Sequence, residues 1–172
     1  VLSAVFGIVS VFMLYKVAAV VFNKNVGLLS ALIMAVSVFH IWYSQEARNY
    51  SLMTLLSLIS MYYFLKLLRN VDLRNSVGYI IPSCLLIYTH YFGFFVIAAQ
   101  NLSLFITWLI FKEGNNKLFR NWILLQGLLA VSYLPWLATL QVQASLWQQG
   151  LAMDWIPVPS LHSVYESFES YA

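Results

Sequence analysis

Residues 75–111 read NSVGYIIPSCLLIYTHYFGFFVIAAQNLSLFITWLIF and hold no Lys, Arg, Asp or Glu in 37 positions. A bilayer core about 30 Å thick is crossed by roughly 20 mostly apolar helical residues. The stretch is therefore too long for one crossing and long enough for two. Thr89, His90 and Tyr91 lie near its middle and mark the expected turn. Working outward, the charged residues cut the rest of the chain into similar runs. The pattern predicts an all-α polytopic membrane bundle of about six transmembrane helices, at about 1–22, 25–43, 49–66, 76–89, 92–111 and 121–139. A more polar exterior loop segment is expected over 141–172.

Composition agrees. The chain has 172 residues, 62% of them apolar and 9% charged. A soluble domain has about 45–50% apolar and about 25% charged residues. A water-soluble globule and a disordered chain are both excluded as readings. An outer-membrane barrel would need short alternating strands in place of these long runs. The single cysteine, Cys84, rules out a disulfide framework. With Val1 at the start and no basic leader, the chain reads as an internal piece of a longer protein, its first helix expected to begin upstream.

The basic residues orient the bundle. With the loops around 22–27, 66–76 and 112–121 inside, eight of the nine Lys and Arg residues fall at or near the inner face, and Arg48 alone falls outside. That asymmetry is the usual mark of cytoplasmic loops. It says nothing for nucleic acid. Trp42 and Trp136 are expected at the outer interface, Trp108 and Trp122 at the inner one.

Chemistry is concentrated at three exterior places. The first is HIWYSQEARNY at 40–50. There Ser44 is expected to cap the third helix, which puts Glu46 in its first turn, where the dipole favours negative charge. On that helix Glu46 and Tyr50 would share a face while Glu46 and Arg48 point apart. Arg48 would then be available to an anionic lipid phosphate, which suits a guanidinium fork. As a bare residue pattern, an interfacial anchor explains Glu46 and Arg48 equally well. The second place is YTHY at 88–91, whose His90 could be a general base, a metal ligand, a substrate contact or an ordinary turn histidine. A divalent metal stays open, with Glu46 the nearest partner by side. The third is the tail, where WIPVP at 155–159 is expected to be extended because residues before proline avoid the helical region.

Gly27-to-Leu32 (GLLSAL), HIWYSQEARNY, the Thr89–His90–Tyr91 turn and WIPVP together resemble, in order and on one side, the bacterial and archaeal members of the dolichyl-phosphate-mannose protein mannosyltransferase-like family. The SQEARxY string is the most specific part. The resemblance implies an integral-membrane glycosyltransferase of the GT-C fold. Its donor would be a polyprenyl-phosphate-linked sugar, and its acceptor a glycan, lipid or protein on the exterior face of the cell (inner) membrane. It implies Glu46, Arg48 and His90 as site residues, expected to be catalytic; Tyr43, Gln45, Tyr50, Tyr91 and Trp155 are expected to bind substrate. It also implies an acidic base in a first exterior loop that would precede Val1, so this piece alone is expected to be inactive.

A transporter or flippase segment is the rival reading. It would carry ionisable groups at mid-bilayer, often at a broken helix, whereas here they sit at span ends and the mid-span polar residues are mostly Ser and Thr.

Overall fold

The structure, a computed structural model, describes residues 1–111 and 116–148. Among these described residues seven helices run in order: α1 (Leu2–Val21), α2 (Lys24–Val36), α3 (Val38–Gln45), α4 (Tyr50–Arg69), α5 (Leu73–Thr89), α6 (Gly93–Phe111) and α7 (Asn116–Gln148). The chain divides into two units, Val1–Tyr133 and Leu134–Ala172. The first holds the bundle. The described part of the second is the last stretch of α7, an apolar helix with Leu134, Leu137, Leu140 and Val142 exposed. Residues 141–148 thus continue a helix where an exterior loop was expected. The rest of that expected segment, with Trp155, lies outside the described residues.

Local chemistry sets each boundary. Asn23 caps α2, its side-chain oxygen accepting from the Val26 amide at 3.0 Å, which satisfies one of the orphan donors of a helix start. Ser37 ends α2 in an extended conformation and caps α3 through its hydroxyl, which accepts from the His40 amide at 3.4 Å. The α2–α3 pair is bent there by 60°. The span expected over 25–43 is therefore made of two helices with a bend between them. At the other end of the bundle Asp72 caps α5 by accepting from the Asn75 amide at 2.7 Å.

Two contacts fix the direction of the helices. The His40 ring nitrogen Nε2 is 3.2 Å from the Gly7 carbonyl oxygen, which ties α3 to the first half of α1. The Arg69 guanidinium donates to the Val20 carbonyl at 2.6 Å, which ties the end of α4 to the end of α1. The first unit therefore has a histidine end, with Gly7, His40, Asn49 and His90, and a basic end, with Lys24, Lys66, Arg69, Arg74 and Arg120. Among the described residues three helices are long and apolar enough to cross a membrane, Leu2–Val21, Tyr50–Arg69 and Lys117–Ser145, and the bent pair makes a fourth if taken as one span. At 17 residues α5 is shorter, as is the apolar part of α6, Gly93–Leu109.

The core joins α4, α5, α6 and the first part of α7 around Phe64, Leu67, Tyr79, Ile97, Trp122 and Leu125. Trp122 belongs to it. It is 4% exposed, and its indole N–H donates to Asn101 Oδ1 at 2.8 Å, so it is a core residue where an interfacial one was expected. An indole that finds a hydrogen-bond acceptor inside loses the reason to stay at the wet interface.

Candidate functional site at the histidine end

The α3–α4 corner and the α5–α6 turn meet. Asn49 begins α4 without capping it. Its side-chain amide instead donates to the Thr89 carbonyl oxygen, 40 residues away, at 2.8 Å. The next residue, Tyr50, places its ring 6.2 Å from that of His90 and 4.8 Å from that of Tyr43. Of the residues predicted from sequence, Tyr43, Tyr50, His90 and Tyr91 form one chain of rings, since His90 and Tyr91 lie 4.4 Å apart. Glu46 and Arg48 occupy the loop just before it.

That loop differs from its expected form. Helix α3 runs through Gln45, so Ser44 is inside it, with its hydroxyl donating to the His40 carbonyl at 2.7 Å. A serine inside one helix cannot hold the extended N-cap position of the next, and its hydroxyl hydrogen goes to the carbonyl four residues back. Asn49 holds the N-cap position, and Glu46 lies outside α4 as the C-cap of α3. Since Glu46 and Arg48 are not on a helix, they do not point apart: Arg48 Nε lies 3.9 Å from Glu46 Oε2. The expected free guanidinium is paired. The pairing is loose, because 3.9 Å lies beyond hydrogen-bond reach and the Arg48 side chain is 66% exposed.

Two polar atoms of this corner are buried without a hydrogen-bond partner, Glu46 Oε2 and Ser51 Oγ. A buried carboxylate oxygen that no donor meets is costly, and it draws the neighbouring guanidinium toward it. The first amides of α4 also have no side-chain cap, so its positive end is available to an anion. His90 is held differently. The Phe92 amide donates to its Nδ1 at 3.1 Å, so in the neutral ring the proton sits on Nε2. Gly93 allows this tight turn, because a Cβ there would come within 2.8 Å of the Leu86 carbonyl oxygen. Gln45 is exposed at the end of α3.

Among the described residues no three His, Cys, Asp or Glu side chains gather where they could hold a metal ion. Among the described residues Glu46, His40 and His90 are the metal-ligating types at this end.

The middle of the bundle holds a network that reasoning from single residues missed. The Tyr79 hydroxyl donates to Gln100 Oε1 at 3.1 Å, and Gln100 Nε2 donates to Ser60 Oγ at 3.0 Å. Ser60 and Ser83 share a hydrogen bond of 2.8 Å. Gln126 Nε2 donates to the Tyr79 hydroxyl, and Asn101 Nδ2 donates to Gln126 Oε1, both at 3.1 Å. The signal was present in the sequence as two glutamines and an asparagine within apolar runs. These groups are neutral and bonded to each other, the arrangement that lets polar side chains join helices in lipid.

The model of one protein family, described as dolichyl-phosphate-mannose-protein mannosyltransferase, matches residues 1–138. The chain belongs to that family. The match contains both corners of the rim and most of α7. No curated protein and no solved structure matches the chain. As a member of the dolichyl-phosphate-mannose-protein mannosyltransferase family it is a multi-pass membrane protein of the glycosyltransferase class, and its family takes sugars from polyprenyl phosphates.

Proposed function

We propose that the histidine end is the exterior rim of a polyprenyl-phosphate-sugar glycosyltransferase, and that this rim holds the donor's phosphate. The observation that carries the reading is the bond between Asn49 and Thr89, which brings the acid–arginine corner and the histidine turn to one place. The concentration of Lys and Arg at the opposite end supports the exterior assignment. Six crossings, with α5 and α6 each counted as one, belong to the same proposal.

A donor lipid in the exterior leaflet carries its phosphate at headgroup depth. There Arg48 and the uncapped start of α4 supply positive charge. As the acceptor hydroxyl attacks the anomeric carbon, the glycosyl C–O bond breaks and its electron pair passes to the phosphate oxygen. A cation at that oxygen stabilises the transition state more than the ground state. Glu46 orients Arg48 through their charge contact. His90, with its proton on Nε2, donates to a phosphate or sugar oxygen, while the rings of Tyr43, Tyr50 and Tyr91 pack against the sugar, and Gln45 adds a polar contact. The acceptor's proton goes to an acidic base that the family resemblance puts in an earlier exterior loop, outside this chain. The acceptor is a glycan, lipid or protein. A transporter reading finds less support, since the mid-bundle polar groups are neutral and satisfied.

The test is transfer by the full-length protein in membranes supplied with a panel of polyprenyl-phosphate sugars, followed as loss of the lipid-linked sugar. Consumption of one donor, reduced at least tenfold by Arg48→Ala, fits the proposal. Consumption unaffected by that change removes Arg48 from the reaction.

A further inference from the structure

Where α4 ends and α5 begins, at the basic end of the first unit, lies a pocket of about 390 Å³ whose lining includes Tyr62, Tyr63, Lys66, Arg69 and Arg74. Two of these side chains are held in place. The Arg69 guanidinium donates to the Val20 carbonyl, and the Tyr63 ring closes on α5 where a Cβ on Gly78 would run into it. Lys66 Nζ stands 5.5 Å from the centroid of the Tyr62 ring, a cation–π contact that takes none of the ammonium's hydrogen-bond donors. Asp72 is the one acid of the lining, and both its oxygens are engaged by amides. Oδ1 accepts from the Asn75 backbone amide at 2.7 Å, and Oδ2 accepts from the side-chain amides of Asn70 and Asn75 at 2.8 and 3.1 Å. Among the described residues none of the three cations lies within ion-pair distance of a carboxylate, and the Tyr62 and Tyr63 hydroxyls make no hydrogen bond.

We infer that this pocket binds a phosphate group, carried by an anionic lipid headgroup or by a soluble phosphate, against Lys66, Arg69 and Arg74. Basic residues at the inner ends of membrane helices are ordinary. Three around one concavity, with the local acid already taken by amides, make a set of donors that calls for an acceptor-only ligand. A phosphate is such a ligand: its oxygens only accept, and a guanidinium, an ammonium and a phenol can each donate to it. The end of a membrane-crossing helix is also the depth at which lipid phosphates lie. Helix α4 has 20 residues, or about 30 Å at a rise of about 1.5 Å each, so the pocket is a helix length from Arg48. It is a site separate from the donor rim proposed above, and the inference stands without that reading.

Two titrations of the full-length protein in detergent test this and separate the sources. Native mass spectrometry compares phosphatidylglycerol with phosphatidylcholine of the same chain length, and calorimetry follows inorganic phosphate. A preference of at least tenfold for phosphatidylglycerol identifies a lipid headgroup; uptake of inorganic phosphate without that preference identifies a soluble one. In either case Lys66→Gln with Arg74→Gln is expected to weaken binding about tenfold at an unchanged melting temperature. Arg69 is left in place because its bond to Val20 ties α4 to α1. Should the double variant melt lower, Arg74→Gln alone carries the test with a loss of about threefold, since that side chain is exposed. Lys24→Gln with Arg120→Gln removes the same charge from the same end outside the pocket and should leave binding within twofold. Equal binding of the two lipids together with no uptake of inorganic phosphate overturns the assignment. Equal losses from the two double variants also overturn it, because the attraction would then belong to the whole basic end.

Discussion

The side-chain amide of Asn49 hydrogen-bonds the backbone carbonyl of Thr89 at 2.8 Å and so fastens the start of α4 to the end of α5. Most residues at that helix position use their side chain on their own helix. Here the side chain serves a distant loop instead, and the first turn of α4 stays uncapped. Removing the amide should cost little stability, about 1 kcal/mol for one partly exposed hydrogen bond. It should matter more for transfer, because it frees the His90 turn from the Arg48 corner. Asn49→Ala is expected to lower the melting temperature by only a few degrees and to lower transfer several-fold. The same change made in a His90→Ala protein should have little further effect on transfer. Full additivity of the two losses would show that the bond does not couple the corners.

Arg48 makes only a loose contact with Glu46, and its side chain is two-thirds exposed. Its absence should therefore leave folding intact, since exposed ion pairs contribute about 0–1 kcal/mol. Arg48→Ala is expected to reduce transfer at least tenfold, or about 1.4 kcal/mol of barrier. Arg48→Lys should restore part of it, because an ammonium supplies charge without the two-pronged geometry. Initial rates at several donor concentrations check this, and equal rates for wild type and Arg48→Ala would refute it.

The all-helical membrane architecture was legible because burying this much apolar side chain in water-facing form is impossible, and the turn at His90 because 37 uncharged residues cannot cross once. The break at Ser37 was not. It lies between Val36 and Val38 with neither proline nor glycine beside it, and a serine caps a helix only where tertiary contacts, here His40 on Gly7, favour the bend. Ser44 misled for the related reason that a serine serves a cap or a carbonyl behind it with equal ease. The rim residues were readable as types, since Glu46, Arg48 and His90 are rare polar points in apolar sequence. Their mutual placement rests on Asn49, which no periodicity marks. Trp122 and Gln100 were misread or overlooked because each polar group, taken singly, does not say whether its partner is headgroup water or another side chain.

Gln100 is fully buried and bonds both Tyr79 and Ser60. Gln100→Leu should take from Tyr79 the acceptor of its hydroxyl proton and from Ser60 one of its two partners, and so destabilise the bundle by about 1–2 kcal/mol, given the modest strength of such bonds between helices in lipid. Ser83→Ala, which removes one partner of Ser60 and leaves both Gln100 bonds in place, should be milder. Thermal unfolding in detergent measures both. A Gln100→Leu protein as stable as wild type would mean that the network is not holding α4, α5 and α6 together.

Gly93 offers the sharpest link between packing and the site. A methyl group there would sit 2.8 Å from the Leu86 carbonyl oxygen and 2.9 Å from the Leu86 Cγ. The carbonyl belongs to the helix backbone and cannot swing aside. Leu86 is fully buried, and its carbonyl also accepts the His90 amide at 3.1 Å. Any shift that admits the methyl group therefore moves His90. Gly93→Ala is expected to cost about 1–3 kcal/mol through overpacking and to lower transfer more than the loss of folded protein explains. Gly127→Ala, where the new group meets open space, is the matched control and should leave both transfer and melting unchanged. Rates normalised to folded protein decide the matter: a Gly93→Ala protein that transfers normally once normalised would separate the packing of this turn from the position of the imidazole.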